Sequence, residues 1–235
     1  MSGLHLGPIT TEQDWLNSAD LEEMSRVLGE RNYDSRRWQL FACACCWRIL
    51  PMLDERSRQA VAIAERHAEG LADAEEVEEA LHLAHSAVLT IWQPGTSASL
   101  QSAAMAAHYA IVLPQRSYHY AARATGSGED AERQVQADLL RDVFANPYRE
   151  AHLDPVWRTP TVLAIAADIY QNDTFAERPV LGDALEDAGC DDPIILGHAR
   201  HSCPHVRGCW LVDGLLARTG PGVANLSGGR PVREF

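Results

Sequence analysis

Between Ser35 and Leu50 the chain is apolar on almost every side, with Trp38, Leu40, Phe41, Cys43, Cys45, Cys46, Trp47, Ile49 and Leu50 in one short run. At helical spacing such a segment has no polar face to offer water, so it belongs at the centre of a bundle with other helices packed around it. Pro51 ends it, because proline lacks the N–H that the next helical turn would need.

The flanking segments carry helix signals of the same kind. Trp15 to Leu28 reads as a first helix, with Thr10 or Thr11 as its N-cap. Asp54 caps a helix running to Gly70, and Asp73 with Glu76 forms a capping-box start for the next. There, Val77, Leu81, Ala84 and Val88 make an amphipathic stripe that ends at Pro94-Gly95. An Ala-rich helix over 100–113 follows, then the aromatic stretch after Pro114, a Gly126-Ser127-Gly128 break and a helix over 130–144. Residues 146–160 form the best candidate for a linker and a sub-division.

Thr159-Pro160 opens a helix to Tyr170, and 179–188 and the stretch after Asp192-Pro193 are helical too. Pro204 is expected to open the last helix, through Leu216. No hairpin signal or repeat emerges. The predicted fold class is all-α: a single helical domain over 1–218, a bundle of about eight to ten helices, with a flexible tail over 219–235.

Charge narrows the partners. The formal net charge is −13, and all 20 basic residues are arginine. An acidic surface disfavours phosphate backbones and anionic membranes, and the absence of lysine excludes P-loop, Schiff-base and catalytic lysine chemistry. No stretch reaches the roughly 18 apolar residues of a membrane span, and no N-terminal apolar leader is visible. The expected setting is the cytoplasm, with reduced thiols: Cys43, Cys45 and Cys46 are too close together for a disulfide framework and read as buried small residues of the central helix.

One region gathers chemistry-bearing residues. Cys190, His198, His201, Cys203, His205 and Cys209 fall near the C-terminus, and thiolate and imidazole are zinc ligands. A helix starting at Pro204 would place His205 and Cys209 at i and i+4 on one face. With Cys190 and His198 they make the predicted metal set, His201 and Cys203 being spare candidates and zinc the expected cofactor. The competing expectation is packing, since Cys209 shares a stripe with Val212, Leu215 and Leu216.

Protease-type zinc chemistry is excluded, because Ser202 stands where the His201/His205 pair would need a glutamate. Cys190 is a poor nucleophile beside Asp187, Asp191 and Asp192. Glu79 and His82 have the spacing of half a di-iron motif, but at about 100° per residue they turn away from the apolar stripe and read as a solvated face. The six tryptophans read as core and inter-helix anchors. His108, Tyr109, Tyr118, His119 and Tyr120 read as a loop between helices, or as a pocket lining.

Three blocks carry a resemblance: Leu40 to Cys46 with Asp54 to Arg58; Leu139 to Phe144 with Asn146-Pro147; and Ala184 to Cys190, His198, and His205 to Trp210. Together they resemble an uncharacterised bacterial family whose members occur as many paralogues in one genome. The resemblance spans most of residues 10–217 and weakens between 90 and 130. It implies no activity and no catalytic residues. In its pattern Cys190, His198, His205, Arg207 and Cys209 have counterparts and His201 and Cys203 do not, which favours Cys190, His198, His205 and Cys209 as ligands.

Three functions are expected from different classes. The first is a non-catalytic helical module that binds another protein, with a structural zinc in its C-terminal third. The alternative is a metal-dependent hydrolase using His198, His205 and a cysteine, with Asp191 or Asp213 as base, or a small-molecule or metal sensor.

Overall fold

The computed structural model describes residues 7–29, 35–149, 151–201 and 204–218; the tail over 219–235 and Cys203 lie outside the described residues. Within them the chain is all-α and contains no strand. The helices are α1 (Glu12–Asn17), α2 (Leu21–Gly29), α3 (Ser35–Arg48), α4 (Glu55–Ala68), α5 (Ala74–Ile91), α6 (Ala98–Val112), α7 (Pro114–Ala124), α8 (Glu129–Phe144), α9 (Pro160–Asn172), α10 (Arg178–Asp187), α11 (Pro193–Arg200) and α12 (Trp210–Leu215). Ten of the twelve have seven or more residues.

The apolar segment forms α3 and occupies the centre, packed by α4, α6, α7 and α8. Its residues from Leu40 to Cys46 are all buried, including the three cysteines, which are free thiols. Cys43 donates to the Val61 carbonyl across 3.7 Å, and Cys46 Sγ lies 3.5 Å from Ser117 Oγ on α7. Trp38 meets Phe144 of α8 at 4.6 Å between ring centroids, and Phe41 meets Tyr118 at 6.0 Å. Truncating a fully buried Phe41 to alanine would cost about 3–5 kcal/mol. At its C-terminal end Arg48 grips Glu132 of α8 with two bonds of 2.6 and 2.8 Å.

Local chemistry explains most boundaries. Thr11 and Asp14 make a reciprocal capping box on α1, Asp73 and Glu76 do so on α5, and Asp54, Thr159 and Asp192 cap α4, α9 and α11. The expected helix from Trp15 to Leu28 is instead two. Asp20 Oδ1 accepts the N–H groups of Glu22 and Glu23, both at 3.1 Å, and so starts α2 afresh.

On α5 the buried stripe is Ala80, Ala84 and Ala87, with Val77, Leu81 and Val88 only half-buried. Ala80 and Ala84 pack with Ala60 of α4, and such small side chains let helices approach closely. Glu79 and His82 are exposed, as a solvated face requires. The stretch from His108 to Tyr120 is not a loop but the end of α6 and most of α7, turned at Leu113-Pro114, with Tyr109 and Tyr120 stacked at 4.9 Å. Trp15, Trp38 and Trp210 are buried anchors; Trp92 is not, at 59% exposed.

Buried apolar residues fall into two main clusters, one from Ile9 to Phe144 and one from Ala151 to Leu215. Polar side chains tie them together. Arg36 of α3 reaches Asp213 of α12 at 2.6 Å, Glu69 beyond α4 at 2.9 Å and the Tyr170 hydroxyl of α9 at 3.0 Å. The second tie is Asp142, near the end of α8.

Candidate metal centre

Asp142 faces inward from a helix whose neighbouring positions Leu139 and Val143 are core residues, and it is buried. Its Oδ2 accepts the Val206 backbone N–H at 3.0 Å. Its Oδ1 meets His205 Nδ1 in a short contact and lies 3.3 Å from His198 Nε2. That same His198 nitrogen lies 3.3 Å from Cys209 Sγ. One ligand atom each from Asp142, His198, His205 and Cys209 falls within 4.8 Å of all the others, a group that could hold a metal ion.

Three segments deliver these atoms: α8, the C-terminal turn of α11, and the loop that joins α11 to α12. Buried Arg178 of α10 holds the turn in place, donating to the His198 carbonyl at 2.6 Å and the His201 carbonyl at 3.0 Å. The His198 and His205 rings stand perpendicular, 4.9 Å apart, and Trp210 packs on His198 at 4.6 Å.

The loop replaces the helix expected from Pro204. Gly208 has φ +91, a conformation closed to most side chains, and α12 starts only at Trp210 with Cys209 as its N-cap. His205 and Cys209 therefore converge through a left-handed turn and not by i, i+4 spacing. Cys190 does not join them. It sits before the N-terminus of α11 while His198 is near the other end, roughly 7 Å or more along the axis; its thiol is buried in the C-terminal cluster. His201, a spare candidate, is exposed and outside the ligand group. Asp142 was missed because an isolated aspartate on a long helix reads as surface. Its helical neighbours Leu139 and Val143 were the available signal.

A buried carboxylate supplies the negative charge of this group. Burial alone would raise the Asp142 carboxyl, but hydrogen bonds and charge from His198 and His205 hold it well below the usual carboxylate range. Burial pushes His198 down, so its imidazole favours the neutral, ligating form. Burial and the Asp142 charge push the Cys209 thiol well up, and a bound cation reverses that order by stabilising thiolate.

His198 cannot relay between Cys209 and Asp142 as the histidine of a catalytic triad does. A catalytic triad needs the thiol and the carboxylate on opposite ring nitrogens of the histidine. At His198 both address the same Nε2. The proposed bases fare no better: Asp213 is locked to Arg36, and Asp191 is exposed outside the ligand group.

A cleft of about 350 Å³ reaches the centre from one side, lined by His198 and Asp142 together with Trp15, Leu16, Ile194 and Trp210 among others. Among the described residues no helix is long and apolar enough to cross a membrane. Comparison with protein-family models, with curated proteins and with solved structures returns no match.

Proposed function

We propose that this chain is a non-catalytic helical module that binds another protein, and that one structural zinc ion, held by Asp142, His198, His205 and Cys209, fastens its C-terminal third to the bundle. The convergence of four ligand atoms from three segments carries the reading. Tetrahedral zinc at about 2.0–2.3 Å from its ligands sets neighbouring ligand atoms some 3.3–3.8 Å apart. Both gaps around His198 Nε2 are 3.3 Å, whereas Asp142 Oδ1 and His205 Nδ1 touch directly and would part to admit the ion. One thiolate and one carboxylate neutralise the ion, which suits a buried site.

Four protein ligands make a closed site, the arrangement of structural zinc. The short helices α11 and α12, each marginal alone, would gain most from it. Leu89 of α5 and Trp92, the residue that ends it, are exposed apolar side chains of the kind a partner protein covers.

The test is metal content by mass spectrometry of untagged protein, wild type and His205→Ala/Cys209→Ala. About one zinc per chain, lost in the double variant, supports the site. No metal in protein purified without chelator, and none taken up from added zinc, sinks it. The hydrolase alternative draws on the cleft beside His198 and requires an open coordination position. Cobalt exchanged into the site separates the two: a spectrum indifferent to added azide marks a closed site, whereas a changed spectrum marks an open one.

A further inference from the structure

We infer that the cleft beside the metal centre binds a small, uncharged molecule with an apolar ring-sized body and one hydrogen-bond acceptor, received by the imidazole N–H of His198. The inference rests on the zinc reading, because coordination through Nε2 leaves the ring proton on Nδ1.

Metal-bound histidines ordinarily give that second N–H to a carboxylate, a carbonyl or water. His198 Nδ1 has no hydrogen-bond partner among the described residues; its ring contacts run through Nε2 to Asp142 and Cys209. His198 lines the cleft, and its side chain keeps 15% of its exposure.

The charged groups of the cleft are already matched. Arg141 pairs with Asp138 at 2.9 Å, Arg149 faces Glu12 at 3.9 Å, and Asp142 belongs to the metal. With its buried charges paired, the cleft offers an acceptor on an apolar body the His198 donor and an apolar wall that includes Leu16 and Ile194. A cleft of about 350 Å³ is the size of a small-molecule site and too small for a folded partner.

The experiment uses zinc-loaded full-length chain and two probes of one shape, 1-indanone with a carbonyl acceptor and indane without, followed by ligand-observed NMR titration. The expected result is saturable 1-indanone binding, about fivefold or more tighter than indane, the worth of one net hydrogen bond. Gly197→Phe blocks the cleft: Gly197 lines it, and a Cβ there meets nothing within 4 Å. This variant should keep one zinc per chain and lose 1-indanone binding.

Equal binding of the two probes, no binding of either, or unchanged binding by Gly197→Phe overturns the inference with zinc content intact. A chain that takes up no zinc overturns the metal reading itself, and this inference with it.

Discussion

Val206 donates its backbone N–H to Asp142 across 3.0 Å, joining a loop of the C-terminal cluster to the last turn of α8. Because Oδ2 is occupied in this way, Oδ1 is left to face His198 and His205. One carboxylate thus positions the loop and completes the ligand group.

Asp142→Asn keeps the shape of the side chain and removes its charge. The variant should lose zinc and unfold at lower denaturant, by about 3 kcal/mol, the scale for breaking a buried charge network. Urea titration followed by tryptophan fluorescence, with metal content read on the same samples, checks it. Wild-type stability with full zinc occupancy would contradict the role given to Asp142.

Gly208→Ala should be destabilising and should weaken metal uptake. The residue has φ +91, and an added Cβ would lie 3.1 Å from Leu40 Cδ1 and 3.3 Å from Leu40 Cβ. Strain of this kind costs about 1–3 kcal/mol, and the same turn delivers His205 and Cys209. Thermal melts with and without zinc read both effects.

Glu69 supplies a pH dependence away from the candidate metal centre. Burial pushes its carboxyl up, but the Tyr170 hydroxyl, Arg36 and Arg218 together lower it below its ordinary value of 4.5. A carboxyl lowered on folding adds stability above its unfolded value, and that stability is lost as pH falls through the folded value. Wild-type protein should therefore lose stability from pH 6 to pH 3 more steeply than Glu69→Gln. Parallel pH profiles of the melting temperature would contradict this.

Much of the architecture could be read directly from local chemistry. The all-round apolar run of α3 predicted its central position, since exposing any face of it would leave large side chains in water. The caps at Thr11, Asp54, Asp73, Thr159 and Asp192 mark helix starts because each places an oxygen beside N–H groups that the helix itself cannot satisfy. The separation of α1 from α2 was less legible, as it depends on Asp20 choosing to cap and not to continue. The buried stripe of α5 was displaced for a related reason: packing against Ala60 rewards small residues over larger ones.

By itself the sequence determined an α-helical chain, the order and limits of most of its helices, and a C-terminal set of Cys190, His198, His205 and Cys209 as candidate ligands. Only the tertiary structure decided that Asp142 joins them, that Cys190 does not, and that a left-handed turn at Gly208 brings the ligands together. The reason lies in range. Caps and periodicity act within a few residues, whereas Asp142 and His205 meet across 63 residues of chain; their encounter is set by how two packed clusters dock.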